Sequence, residues 1–520
     1  MKRIYESLSK LNIARSGFDL SFEKKLSCDM GTLIPIYLQE IIPNDQFRVN
    51  TEIMIRFAPM IAPIMHRVNV YTHYFFVPNR IVWDSWEEFI NGGSEASGIQ
   101  SPILPKFTIT STEKDDIAKG TLADYFGIPV HDEAGAGFGG LTFDINALPF
   151  RGYHLIWNEY YRDQHLSDEE NIDTLTWANA KQLKKRAWEK DYFTSAAPAT
   201  QRGPEILAPL DVQYLDQSLV KEDDGGNPPN SADLATGTGA ASDDLYAAGQ
   251  AARIENLDPN SIGTKISELR KAFKLQEYWE LAMRSGTRYI EWLKANFGVT
   301  SSDARLQRPE YLGGAMQPVQ ISEVLNTAGD NAGSASAVGD MAGHGISVGG
   351  RNGFTRRFEE HGFVFGIMSI LPRTAYQQGL HRQWFKFDRF DYYTPQLAHI
   401  GEQAILQKEL YFDLGDPLAR QNDNYEKTFG YGQRYGEYKQ NFSNVHGDFK
   451  DNLDFWHMGR KWDAAPDTNP YPALNEDFVE ADPTKRIFAV NDGTHSMWCQ
   501  IYHDVKAIRP IPYFTDPKLV

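Results

Sequence analysis

Hydrophobic positions cluster in short runs near both ends of the chain, and they recur at the spacing of extended backbone. LIPIYLQEI (33–41), VNTEIMIRF (49–57) and RVNVYTHYFFV (67–77) are rich in β-branched and aromatic residues. Turn-forming Pro-Asn-Asp and Ala-Pro-Met-Ile-Ala-Pro separate them, so the pattern predicts three strands. In the third, Val68, Val70, Thr72 and Tyr74 share one face, with Asn69, Tyr71 and His73 on the other. HGFVFGIMSILP (361–372) and MWCQIYHDVKAI (497–508) read the same way, the latter stopped by Pro510 and Pro512. Strands at both ends predict one β core that closes late in the chain.

Helical spacing lies in the insertions. A short helix is predicted over Ile81 to Ile90. A second runs from Pro149 to Gln164, where a proline suits the first turn and Ile156, Trp157, Tyr160 and Tyr161 recur at helical spacing. The longest covers Ile266 to Phe297, with a break at Ser285-Gly286 and Gly298 at the position just past its end. Two stretches read as loops. Residues 216–260 combine Gly-Gly and Pro-Pro with acids, and residues 327–353 alternate Gly, Ala and Ser.

Composition sharpens this picture at three points. Among 520 residues the aromatic share is 13%, high enough to imply large cores or large interfaces. A net charge of -17 excludes a protein that wraps nucleic acid over its whole surface, though a local basic patch stays open. Cys28 and Cys499 are the only cysteines, which favours a reducing compartment over a disulfide-stapled secreted protein. The stretch from Ile53 to Val68, interrupted by Arg56 and His66, is too short to span a bilayer. No secretion signal is visible in MKRIYESLSKLN, so the expectation is a soluble protein made in a cytoplasm, without membrane insertion.

Catalytic patterns are weak. GISVG (345–349) fits the G-x-S-x-G elbow around Ser347, but glycine-rich loop flanks it where a strand and a helix are required. Asn158-Glu159 resembles the Asn-Glu pair of some retaining glycosidases, yet it sits inside a helical pattern. His66 and His73 fall on opposite strand faces, and no HExxH or paired C-x-x-C occurs. No Gly-Lys dipeptide exists, which removes a Walker A loop, and GYGQRYG (430–436) misses the dinucleotide spacing by one residue. No enzyme, cofactor or metal is expected.

Four stretches, in order, carry a family resemblance. MHRVNVYTHYFFVPNRIVW (65–83), LPFRGYHLIWNEYYRDQHL (148–166), TRYIEWLKANFGVTSSDARLQRPEYLGG (287–314) and HGFVFGIMSILPRTAYQQGLHRQW (361–384) with FDYYTPQLAHIGEQ (390–403) resemble the major capsid proteins of the Microviridae, small tailless single-stranded DNA phages. The pattern is closest to the gokushovirus-like branch. The last two stretches resemble the family's later core segments. The resemblance implies a single eight-stranded antiparallel jelly roll, two sheets of four strands with long helix- and loop-containing insertions. It implies residues 33–520 as that domain, preceded by an N-terminal arm over residues 1–32. It further implies a T=1 shell around circular single-stranded DNA, assembled in the bacterial cytoplasm. An internal scaffolding protein, a DNA pilot protein and a small basic DNA-binding protein would be its partners. A carbohydrate-binding or carbohydrate-hydrolysing β-sandwich is the alternative.

Three groups of residues follow as candidates. DARLQRPEYLGG (303–314) is spelled too particularly for a free loop; Arg305, Arg308, Glu310 and Tyr311 either meet a second subunit or form a buried brace, within their own subunit, for the helix before them. Lys2, Arg3, Lys10, Arg15, Lys24 and Lys25 outnumber the acids of the N-terminal segment, which would suit an inner face meeting phosphate or merely brace a neighbour. Asp223, Asp224, Asp233, Asp243 and Asp244 would be repelled by packaged DNA. The resemblance implies an insertion projecting around the threefold axes at that place, so 216–260 is expected to project outward, toward a host receptor or threefold neighbours. A loop without a binding role is the competing reading.

Overall fold

The computed structural model describes residues 14–91, 102–110, 113, 116–130, 142–204, 206, 220–221, 253–254, 266–325, 341–350, 352–412, 425–462, 471–490 and 493–514. The chain divides into two compact units, residues 1–200 with 286–520, and residues 201–285.

Among the described residues, the two main sheets of the larger unit hold eleven strands: β1 (Ser16–Asp19), β2 (Phe22–Cys28), β3 (Ile34–Ile41), β4 (Gln46–Phe57), β5 (Val68–Pro78), β6 (Glu310–Pro318), β7 (Gln320–Leu325), β8 (Met341–Val348), β9 (Asn352–Arg357), β10 (Gly362–Pro372) and β11 (Met497–Arg509). All their pairings are antiparallel. In the first sheet β1 and β2 lie end to end beside β11. β11 pairs with β4 over twelve residues, from Met497 opposite Phe57 to Ile508 opposite Gln46. β8 and β9 share the far side of β4, with β7 outside β8. The second sheet runs β6-β5-β10-β3. Counted as lanes, the first sheet has five, namely β1 with β2, β11, β4, β8 with β9, and β7, and the second has four. The antiparallel two-sheet architecture expected from the resemblance is the observed one; the strands number seven and four because two lanes are interrupted.

Burial explains two sequence textures. β4 and β11 alternate strictly, since one face of their sheet packs inward through Phe47, Val49, Ile53, Ile55, Ile501 and Val505 while the other stays open. β5 and β10 are buried almost throughout, because their sheet is covered twice. Its inner face meets the first sheet. Its outer face, with Phe75, Val77, Phe365 and Ile367, packs beneath α1 (Leu148–Ile156) and Phe107, Trp157 and Trp177. Gly152 permits this closeness: a Cβ there would lie 2.8 Å from the Phe365 ring.

Four expectations need correction. Residues 16–28, within the stretch read as an arm over 1–32, are paired strands, because their backbone forms antiparallel ladders with the C-terminal strand. Within the stretch read as a loop over 327–353, β8 and β9 are strands. Glycine suits β8 because a Cβ at Gly343 would lie 2.3 Å from the Ala62 carbonyl oxygen. The helix expected over Ile81 to Ile90 is two short ones, Asn79–Val82 and Trp86–Asn91. FDYYTPQLAHIGEQ is not core: Phe390, Tyr392, Tyr393 and Ile400 are all more than half exposed.

The smaller unit carries α2 (Ile266–Ser285). Arg202 donates its backbone N–H to the Trp279 carbonyl (3.3 Å), and a Cβ on Gly203, which sits at φ +106°, would lie 3.6 Å from the Trp279 ring. Val220–Lys221 pairs antiparallel with Arg253–Ile254, so the chain leaves and returns along one two-stranded stem. α2 ends at Ser285 and α3 (Tyr289–Phe297) follows, closed by Gly298 at φ +68°, where the sequence places the break and the stop.

Candidate functional site

The loop 303–314 and the end of α1 form one electrostatic unit. After Ile156 the helix widens into a π-helical turn, Trp157–Tyr161, which brings Glu159 and Tyr160 side by side toward the loop. Arg308, largely buried, places its Nη1 3.6 Å from Glu159 and its Nε 3.3 Å from Asp303. Its guanidinium stacks 4.3 Å from the Tyr160 ring centre. Tyr160 donates its hydroxyl to the Pro309 carbonyl at 2.6 Å. Gly313, at φ +150°, lies in a bulge of β6 against β5, and a Cβ on Gly314 would lie 2.5 Å from the Thr72 carbonyl oxygen.

A second arginine ties in α3. Arg288 donates to the carbonyls of Asn158 (2.6 Å) and Arg162 (3.2 Å) and lies 3.7 Å from Glu291. Burial pushes its guanidinium down from its ordinary value, while Glu291 and Glu159 oppose that shift. Gln164 donates to Glu291 at 2.7 Å. Residues 148–166 and 287–314, separate in sequence, are thus one structure.

The four candidate residues of the loop split. Arg308 is a brace within its own subunit, on the end of α1 and not on the helix before the loop, and Glu310 accepts from Arg356 at 2.9 Å, with burial raising its carboxyl above the usual range. Arg305 is exposed, and Tyr311 is 47% exposed while its ring packs on His73 and Phe75.

The basic residues also divide. Lys2, Arg3 and Lys10 lie outside the described residues. Arg15 is exposed and donates to the Asn44 carbonyl at 2.6 Å. Lys24 turns inward onto the carbonyls of Pro35 (3.1 Å) and Tyr125 (2.6 Å), and burial lowers its ammonium to about 8. Lys25 points to solvent, 3.9 Å from Glu23. Asp223, Asp224, Asp233, Asp243 and Asp244 lie outside the described residues.

The weak catalytic patterns acquire structural roles. Ser347 sits inside β8, donates to the Pro318 carbonyl (2.8 Å) and accepts from Gln317 (2.9 Å). Asn158 is buried and exchanges two hydrogen bonds with the backbone of Glu170. Glu159 faces Arg308 and Arg288. Among the described residues no group of His, Cys, Asp and Glu is arranged to hold a metal, and no helix is long and apolar enough to cross a membrane.

A family model for the capsid protein (F protein) matches residues 7–519. The chain belongs to the F-type capsid protein family. Capsid protein VP1 of Chlamydia phage 1 is 31% identical over an alignment covering 100% of this chain and 98% of the relative. VP1 of Bdellovibrio phage phiMH2K is 32% identical, covering 99% and 97%. VP1 of Spiroplasma virus 4 is 28% identical, covering 98% and 96%. These are Microviridae capsid proteins, so the sequence resemblance identified the right family, including its gokushovirus-like branch. The chain is a phage structural protein of the virion.

Sequence reasoning missed one feature. Residues 384–400 present aromatic side chains to solvent without strand or helix periodicity. The signal was there in WFKFDRFDYY, where aromatics alternate with charges inside a loop.

Proposed function

We propose that this capsid protein assembles in the bacterial cytoplasm into a T=1 icosahedral shell around a circular single-stranded DNA phage genome. The match to the capsid protein family over residues 7–519 carries this reading. The antiparallel two-sheet core supports it, since double-sheet jelly rolls recur in viral capsids. Arg305 and Tyr311, exposed at the end of a rigidly braced loop, are contacts to a neighbouring copy. Arg15 and Lys25, with Lys2, Arg3 and Lys10, belong to the surface that meets DNA phosphates. Residues 216–260, with their five aspartates, project outward and serve host attachment or threefold contacts. The internal scaffolding protein, DNA pilot protein and small basic DNA-binding protein implied by the family assist assembly.

Electron microscopy of purified particles, with mass spectrometry of their protein and nucleic acid, tests the whole. Uniform icosahedral particles with this chain as the main component and single-stranded DNA inside are expected. Particles built mainly from another protein, or holding no DNA, would overturn it.

A further inference from the structure

The segment 384–400, some way after β10, packs in part on Tyr435 and Tyr438 yet leaves much of its apolar surface in solvent. Trp384, Phe387, Phe390, Tyr392, Tyr393 and Ile400 are 51–89% exposed, Phe387 the most. At roughly 200 Å² for each fully exposed side chain, they leave about 700 Å² of largely apolar surface in solvent. A typical monomer's largest apolar patch is roughly 300–600 Å², and one partner's share of a standard interface is about 800 Å².

The segment is also held in shape. Three short 3-10 turns, Arg382–Phe385, Arg389–Asp391 and Pro395–Leu397, set its path. The Asp391 carboxylate accepts the backbone N–H groups of Phe387 (3.0 Å) and Asp388 (2.9 Å). Lys386 lies 4.0 Å from the Tyr438 ring and pairs with Glu437 at 2.8 Å, both side chains nearly buried. Arg382 pairs with Glu409 at 3.1 Å. This is a preformed shelf, which lowers the ordering cost of binding.

We propose that residues 384–400 form a contact surface for a second copy of this chain. The inference rests on the capsid reading and names one of the surfaces through which copies join. Two observations favour a second copy over nucleic acid. Of the Lys and Arg side chains in 384–400, Lys386 is occupied by a carboxylate of its own subunit and Arg389 lies over the ring of its neighbour Phe390 at 4.7 Å, whereas stacking on single strands works together with a groove of several cations that tracks the phosphates. The exposed area is near that of one side of a protein interface, and a shell protein meets its own copies in every orientation its symmetry requires.

The test is a Phe387→Asp/Ile400→Asp double variant beside wild-type protein and Phe387→Leu. The double variant is expected to keep its circular dichroism and melting temperature and to lose particle yield at least tenfold. Phe387→Leu is expected to assemble. Hydroxyl-radical footprinting of unmutated protein gives a second reading: Trp384 and Phe387 should be oxidised in dissociated subunits and protected in particles. If wild-type protein forms no particles, the capsid reading itself fails. Full assembly of the double variant, or equal oxidation in both states, overturns the shelf as a subunit contact. Normal shells with reduced DNA content would overturn it in favour of a genome-facing role.

Discussion

The Arg308 guanidinium lies 4.3 Å from the centre of the Tyr160 ring, and the Tyr160 hydroxyl donates to the carbonyl of Pro309, the residue next to that arginine. Each group positions the other. The loop therefore stands rigid before any second subunit arrives, and the surface it offers does not have to be ordered during assembly.

Arg308→Ala removes the cation between Glu159 and Asp303 and leaves both carboxylates facing a partly buried gap. A loss of about 3 kcal/mol in subunit stability is expected, by the cost of breaking a buried pair from one side. Arg308→Lys should recover only part of it, since an ammonium cannot reach two carboxylates while stacking flat on Tyr160. Urea denaturation of unassembled subunits measures both. Equal stability of all three proteins would show that the brace is not a source of stability.

His503 is fully buried between the sheets, within hydrogen-bond distance of Thr51 Oγ1 (2.9 Å) and the Ile36 carbonyl (3.2 Å). Burial pushes its imidazole down from 6.5 to about 4. The unfolded chain then takes up a proton that the folded one refuses. The stabilising effect is whole above pH 6.5, falls as the pH drops toward 4, and is lost below that, by on the order of 3 kcal/mol. His66 and His73, lowered to about 4 for the same reason, add in the same direction. Denaturation midpoints of unassembled subunits from pH 7.5 to 4 should show the fall, with a shallower slope for His503→Asn. An unchanged slope in that variant would remove His503 from the effect.

Much of the core was legible because its strands are local patterns: 33–41, 49–57, 67–77, 361–372 and 497–508 all lie on observed strands. The break at Ser285-Gly286 was equally local. What stayed hidden depends on partners far away in sequence. FEKKLSC carries three charges in seven residues and becomes β2 only because β11 offers it an edge some 470 residues on, as with Cys28 opposite Met497. MAGHGISV looks like loop until Ala62 and Phe57 are seen to leave space for glycine alone. At the candidate site, the sequence marked 303–314 but left open whether it faced inward or outward. Arg308 turns onto Glu159 and Glu310 onto Arg356, partners about 150 and 46 residues away that only the folded chain brings to the loop.

The basic residues near the N-terminus should separate by role. Lys25→Gln with Arg15→Gln is expected to lower packaged DNA, or particle stability in low salt, with little change in subunit melting temperature, since both side chains are exposed. Lys24→Gln should do the reverse, because its ammonium satisfies the Pro35 and Tyr125 carbonyls. Nuclease-protected DNA per particle and subunit melting temperature form the paired readout. Full packaging by the Lys25 and Arg15 variant would remove those two residues from the DNA-facing surface.

The two-stranded stem of Val220–Lys221 with Arg253–Ile254 suggests that the chain between can be exchanged without disturbing its ends. Replacing residues 222–252 with a short Gly-Ser linker keeps that stem and removes Asp223, Asp224, Asp233, Asp243 and Asp244 together. Carboxylates of that density oppose packaged phosphate, so an outward position carries no electrostatic cost and an inward one does. Subunit stability should therefore change little, and packaging should not improve. Shells that form normally but bind cells poorly would place attachment in this insertion. Shells that fail to close, from subunits that still fold, would place a threefold contact there. Particle counts, adsorption assays and plaque titres on the same preparation tell these apart, and wild-type infectivity after the replacement would sink both roles.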